Sequence, residues 1–519
     1  MTHESKTCAS VLLSCCNGFI FKKKVGSLFC KNNGIMQASC IILLLFVNLI
    51  FRKDMNNINL KMTIIPSVAK VKQVVLFLSV SCVLSCNRYV ADWGDASGQE
   101  EKEVFSPTLN IPDISGTEIP LYTILRTSES YGLESNATKD QSSAFQSAID
   151  DLSSKGGGVL LISKGTYCLN NVYMKSDVHI MVEKDVVFKP VLSGNKSIMF
   201  IFSTVDETVD GYISNVSISG VGGERFTVDF TGFHPDNDYS CESSSTAPSL
   251  RFIRCCMVKN FLISDFNVLD NYTKHSAIEL NCANVDVEGW ELSRPTDGLV
   301  ENCYIDKADW GYGLVQAHAA HNVLFRDISG VGGVTLRFET GYGKNIGLFD
   351  VYGYNVSVSD GRSAVLLSPH VSHNGKVLVE KVTGINTALT VSIEEGFDDE
   401  RDPSKEGIKG SFSDESVIYD IYAEYGEKSQ IRIPDIYLYE PEYYPLFKKE
   451  VIGESARQYT GPSIAPAFDG SNKTYSVKIE NIKSKGFKYH SDKILYEEDI
   501  ERERSDSWKI YRTLPFYYE

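Results

Sequence analysis

"NCYIDK" (Asn302–Lys307), "NVLFRD" (Asn322–Asp327) and "NIGLFD" (Asn345–Asp350) share one beat: an asparagine, then alternating apolar and polar residues, then a charged residue. The beat is heard earlier as "NVSISG" from Asn215 and "NFLISD" from Asn260, and later as "KVLVEK" from Lys376, "SVIYDI" from Ser416 and "SVKIEN" from Ser476. Such brief alternation, rich in Val and Ile, is the pattern of short half-buried strands rather than helices. Intervals of 20 and 23 residues separate Asn302, Asn322 and Asn345, and the other intervals are longer, as inserted loops would make them. A strand-bearing unit repeated at this length marks a solenoid of stacked coils. A β-sandwich would instead show two-residue turn signals such as Asn-Gly between its strands, and these are scarce.

The expected fold is therefore all-β: a single-stranded right-handed parallel β-helix with an N-terminal capping helix and loop insertions. The cap is read from "NATKDQSSAFQSAIDDLSSKGGG", where Ala144, Phe145, Ala148, Ile149 and Leu152 share one helical face. Thr138 or Asp140 would open that helix and Gly156–Gly158 would end it. Such a helix would cover the open edge of the first coil.

A chain of 519 residues, 43% hydrophobic, can bury a large core without cross-links. Its 39 glycines, 27 tyrosines and 26 phenylalanines also favour β structure. The net charge of −16 argues against nucleic acid or an anionic membrane surface as a bulk partner. Seven of the 13 cysteines fall in the first 86 residues. The others, Cys168, Cys241, Cys255, Cys256, Cys282 and Cys303, form no CxxC and read as buried small hydrophobes.

"KVKQVVLFLSVSCVLSC" (Lys70–Cys86) has the basic start, apolar middle and V-L-S-C end of a lipoprotein-type export signal. Met62 is a natural start for it, so residues 1–61 read as an over-long extension and 62–86 as the signal. Residues 87–108 are an acidic linker, 109–490 the β-helix catalytic domain, and 491–519 a C-terminal tail packing on the helix. The expected location is outside the cytoplasm, as an outer-membrane lipoprotein or a secreted protein, and the expected state is a monomer.

Stacking puts equivalent outward positions of successive coils about 4.8 Å apart. In "GLVQAHA", "VTLRFETG", "SAVLLSPH" and "ALTVSIEEG", alternation points Gln316, Glu339, His370 and Glu394 outward, near one column. Each alone has a bland reading as a solvated strand residue or turn cap. An amide, a carboxyl and an imidazole on adjacent coils can together protonate a leaving group, hold a water and orient both.

"WGYGLVQAHAAHNVLFRDISGVGGVTLRFETG", with "AVLLSPHVSHNGKV" and "YTGPSIAPAFD" further on, closely resembles the iota-carrageenases of glycoside hydrolase family 82. The resemblance runs through most of 136–490 and is strongest at 309–378. It implies a right-handed β-helix and endo-hydrolysis of β-1,4 linkages in iota-carrageenan, a sulfated galactan, with inversion at the anomeric carbon. It matches Glu339 to the general acid, Gln316 and His370 to the two supporting residues, and Arg337 to the neighbouring arginine.

The chain departs from that pattern twice. Where the family reads Glu-Thr-Asp, with the aspartate as base, this chain reads Glu339-Thr340-Gly341. Where well-known members carry a large inserted domain, it has only Gly396–Ser416. A smaller lid implies an open groove and random rather than processive cleavage. Glu394, two coils beyond Glu339, lies at about 9–10 Å by strand spacing and is the first candidate for the missing base. Glu395, Asp360 and Asp398 are further candidates, and a water held by Gln316 and His370 alone is the alternative.

A sulfated substrate calls for cations: Arg337, Arg251, Arg254, Lys344 and Arg362 are placed to supply them. Trp310, Tyr312, His318 and Tyr342 join them as substrate-binding candidates, with Trp310 and Tyr342 equally readable as core plugs. One acid per coil does not make a metal nest, so no metal site is expected and no cofactor is required, beyond a bound structural cation or chloride. Two other classes remain open: a β-helix polysaccharide lyase, and a non-catalytic sulfated-glycan-binding paralogue.

Overall fold

Successive coils turn at residues with a left-handed backbone, and these are mostly the asparagines and aspartates of the repeated beat. The computed structural model describes residues 124–207, 211–233, 247–283, 294–397, 407–451, 457–491 and 494–518. The extension, signal and linker expected over 1–108 lie outside these residues, as do Cys241 and Asp398. Strand register aligns Asn215, Asn260, Asp297, Asn322 and Asp350 in one line, with φ from 50° to 59°. It aligns Asp265, Asn302, Asp327, Asn355, Lys381, Asp420 and Asn481 in a second, with φ from 52° to 65°.

A left-handed backbone costs an L-residue roughly 1–2 kcal/mol, and Asn and Asp tolerate it best because their short polar groups bond locally. Here the bonds run from coil to coil. Nδ2 of Asn302 donates to Asp265 at 2.7 Å, that of Asn322 to Asp297 at 2.6 Å, and that of Asn355 to Asp327 at 2.7 Å. Asn302 and Asn322 therefore belong to different corners. The coil step is 25 residues, from Asp297 to Asn322 and from Asn302 to Asp327, then 28 from Asn322 to Asp350. The 20-residue interval expected from the sequence compared one corner with the other, and the 23-residue interval ended at Asn345, which lies in neither line.

The strands that carry these corners form a 14-stranded parallel sheet. A second parallel sheet of ten runs Val172–Tyr173, Lys196–Phe202, Ser249–Cys255, Ile278–Leu280, Val315–Ala317, Val334–Glu339, Ser363–Ser368, Leu389–Glu394, Ala465–Gly470 and Ile494–Tyr496. The core lies between the two and is one continuous apolar cluster. At its N-terminal end, Phe145, Phe188, Phe200, Phe226 and Phe252 pack mostly edge to face, with centroids 5.6–6.1 Å apart. This is the expected right-handed parallel β-helix.

The helix Ser142–Ser154 closes that end with Phe145, Ala148, Ile149 and Leu152 fully buried. Oδ1 of Asp140 accepts from the Ser142 backbone N–H at its start, and the left-handed Gly157 returns its N–H to Leu152 O at its end. Cys255, Cys256, Cys282 and Cys303 are buried free thiols, and burial pushes their pKa values up.

The solenoid continues past residue 490. Ile494–Tyr496 pairs with Ala467–Asp469 as the last strand of the ten. The rest of the tail, with Tyr511, Leu514 and Phe516, builds a second apolar cluster with Ile433, Ile436, Leu438 and Tyr459. Asn355→Ala, which removes one inter-coil bond and leaves alanine at φ 55°, is expected to cost about 1–3 kcal/mol by urea denaturation. Asn355→Gly, free of the backbone strain, should cost less.

Candidate active site

On the outer face of the ten-stranded sheet, register pairs Glu279 with Gln316 and Gln316 with Arg337. Glu339 pairs with Ser368, and Glu394 lies one strand further along that same line. The expected single column is thus two columns, two residues apart. Gln316 reaches Glu339 diagonally, its Nε2 donating to Oε2 at 2.6 Å. Arg337, on the same strand face, donates from Nη2 to Oε1 at 2.7 Å, and Nε2 of His370 stands 3.4 Å from that oxygen. The structure brings Gln316, Arg337, Glu339 and His370 together.

Burial pushes the Glu339 carboxyl upward, but the Arg337 charge and the His370 hydrogen bond outweigh it and bring the pKa down to about 2. Free, the group is a carboxylate. The sign follows: stability from this pairing is present above the unfolded value of 4.5 and fades as pH falls toward 2. Arg337 also hydrogen-bonds Gly311 O and lies 5.8 Å from the Tyr312 ring centroid.

Glu394 is elsewhere engaged. It accepts from Arg362 Nη2 at 2.9 Å, Arg432 Nη2 at 3.1 Å and Ser368 Oγ at 2.8 Å. Burial is outweighed by the two guanidiniums, which hold its carboxyl far below the usual range. A carboxylate so held has little affinity for a proton, so the expected base role does not fit Glu394. Nor does sulfate binding fit Arg362, which is 4% exposed, paired to Glu394 and near Asp435 at 3.8 Å. Burial and the neighbouring Arg432 pull its pKa down to about 10. Trp310 packs 5.9 Å from Arg362 and against the second apolar cluster, closer to a plug than to a sugar platform. Arg432, in the irregular excursion after Gln430, had no strand pattern to announce it.

Two exposed aromatics flank the acid, each on an imidazole. The Tyr342 ring stands edge-on to His318 at 5.2 Å, and Phe397 lies 4.3 Å from His370. Phe397 was missed in the sequence because it follows the last alternating strand residue. Its N–H and that of Gly410 both bond the His370 carbonyl, at 3.1 and 2.6 Å, and His370 itself is left-handed at φ 45°.

Glu279, also missed, could have been found by carrying the column one coil back from Gln316. It is 5% exposed, bonded by Arg251 Nη2 at 3.1 Å, and 3.7 Å from Nε2 of His318. Arg254 pairs with Glu207 at 3.1 Å and stands 3.9 Å from Glu279. The arginines expected on these coils are thus already paired with carboxylates. Lys344 is exposed beside the site, and Glu395 pairs with Lys409 at 3.2 Å. Asp360 bonds Asn386 in a corner of the other sheet edge.

Gly341 lies at φ 140°, and a Cβ there would stand 3.0 Å from the His370 Cβ and 3.1 Å from its Nδ1. The imidazole occupies the space next to which a side chain at 341 would have to fit.

A parallel β-helix whose outer face sets one carboxylate among an amide, a guanidinium and an imidazole has the groups for acid–base chemistry at that face. No family model matches the chain. It is 35% identical over 276 residues to an iota-carrageenase of Zobellia galactanivorans, across 51% of this chain and 52% of that protein. It is 28% identical over 436 residues to an iota-carrageenase of Alteromonas macleodii, across 71% of this chain and 84% of that one. The chain spans about half the length of the Zobellia protein. A solved iota-carrageenase complexed to iota-carrageenan fragments superposes with a TM-score of 0.61 at 26% identity, over 72% of this chain and 91% of that chain. The chain is thus similar in sequence and in fold to iota-carrageenases.

Arg337→Met should move the Glu339 carboxyl up from about 2, because burial then acts with less opposition; carbon-13 titration of labelled glutamate reads the shift. Glu394→Gln leaves two buried guanidiniums short of a counter-charge and should cost about 3–5 kcal/mol of stability in a denaturant melt.

Proposed function

We propose that this protein hydrolyses β-1,4 linkages within iota-carrageenan, acting inside the chain and inverting the anomeric carbon. The observation that carries the reading is the cradle of Gln316, Arg337 and His370 around Glu339 on an outward sheet face. In the free protein the cradle keeps Glu339 ionised, whereas a general acid must carry a proton. Substrate supplies the change. A galactose sulfate arriving at Arg337 competes for the planar guanidinium and brings its own negative charge, and both effects raise the Glu339 pKa. Glu339 then protonates the departing glycosidic oxygen, with Gln316 and His370 fixing its position.

The Gly396–Ser416 segment is short in sequence, and its described residues Phe397 and Gly410 bond the His370 carbonyl. With so short a segment we take cleavage to be random along the polymer, with viscosity falling ahead of reducing ends. The reaction draws on side chains alone, so chelator leaves turnover in place. From the sequence we extend the proposal to export and lipid attachment at Cys86, with the chain acting as a monomer on the outer membrane.

The test is incubation with kappa-, iota- and lambda-carrageenan followed by product sizing. Iota-carrageenan is expected to yield a ladder of oligosaccharides, and Glu339→Gln to lower kcat by about 10²–10⁴-fold. Retained binding without new reducing ends would mark a glycan-binding paralogue. An ultraviolet-absorbing product would mark a lyase.

A further inference from the structure

Inverting hydrolysis needs a second group that takes a proton from the attacking water, about 6.5–9.5 Å from the acid so that the water fits between. Gly341 has no side chain to offer, Glu394 is held by two arginines, and His370 stands within 3.4 Å of Glu339. Resting on the hydrolase reading above, we propose that His318, oriented by Glu279, is the base that activates the water.

The placement comes from the coils. Ala317 pairs with Phe338, so His318 and Glu339 follow on neighbouring strands of one sheet, on the same outward face. Their side chains part from there. Glu339 leans toward Gln316, Arg337 and His370, whereas the His318 ring turns back to Glu279 on the preceding coil, Nε2 to Oε1 at 3.7 Å. From adjacent strands the two side chains thus engage different partners, His318 through Nε2 and Glu339 through both carboxylate oxygens.

Glu279 cannot serve as the base itself, being buried and bonded by Arg251. It is suited to orient the ring and to balance the charge the ring gains on taking a proton. The Tyr342 ring, edge-on to the imidazole, fixes its plane, and Asn281 Nδ2 donates to the Tyr342 hydroxyl at 3.1 Å. Among the described residues no side chain hydrogen-bonds the other ring nitrogen, Nδ1, and the side chain is 15% exposed. Nδ1 is the atom left for the water.

The step balances. The water oxygen bonds the anomeric carbon while one of its protons passes to His318. The carbon–oxygen glycosidic bond breaks, its electron pair stays on the leaving oxygen, and Glu339 protonates that oxygen. Solvent then takes the proton from His318 and restores the one on Glu339.

The experiment compares His318→Gln and Glu279→Gln with wild type on iota-carrageenan, with and without added azide, an anion that attacks without needing a base. His318→Gln is expected to lose about 10²–10⁴-fold in kcat with KM within a few-fold, and azide to restore turnover as a glycosyl azide of inverted configuration. Glu279→Gln, a positioning change, should lower kcat alone and by less. Near-wild-type kcat in His318→Gln, or a loss confined to KM that azide does not touch, overturns the assignment. If His318→Gln does not melt like wild type, His318→Ala repeats the azide measurement. A wild-type chain that releases no reducing ends overturns the hydrolase reading and this one with it. An active wild type with an unimpaired His318→Gln overturns only the base.

Discussion

Left-handed corners, bonded from one coil to the next, are the constraint on which everything else in this molecule depends. A parallel sheet holds no hairpin to set its register, and a slip of one residue would turn every outward side chain inward. The amide–carboxylate bonds at Asn302–Asp265, Asn322–Asp297 and Asn355–Asp327 fix that register at the corners. Gln316 can meet Glu339, 23 residues on, only because Val315–Ala317 and Val334–Glu339 lie in a set phase.

The site face carries two clusters built from the same chemistry with opposite outcomes. Around Glu339 one guanidinium, an amide and an imidazole leave the carboxylate partly exposed, and a ligand anion has something to displace. Around Glu394 two guanidiniums and Asp435 close the cluster and join the sheet to the turn at Ile433–Leu438. The first arrangement suits a proton that must come and go. The second is an anchor, and it ties the C-terminal excursion to the ten-stranded sheet.

The fold was legible because the corner asparagines stand in the sequence beside alternating strands. Its phase was not, since Asn and Asp fill the same left-handed corner and trade places between coils; Asn302 sits opposite Asp327, not Asn322. The cradle of Gln316, Arg337, Glu339 and His370 was legible from alternation and from family likeness. The fate of Glu394 was not, because Arg432 lies 38 residues away in a stretch with no period. Glu279 was hidden differently, in a three-residue strand too short to show a pattern.

The close approach of Gly341 to His370 limits how this site can be rebuilt. With the imidazole where it stands, a carboxylate at 341 would meet both a crowded Cβ and an unfavourable backbone angle. An aspartate introduced at 341 therefore requires the histidine, and the Phe397 and Gly410 amides that hold its carbonyl, to give way by a few tenths of an ångström. A designer who wants a carboxylate there has to loosen that clasp along with the substitution.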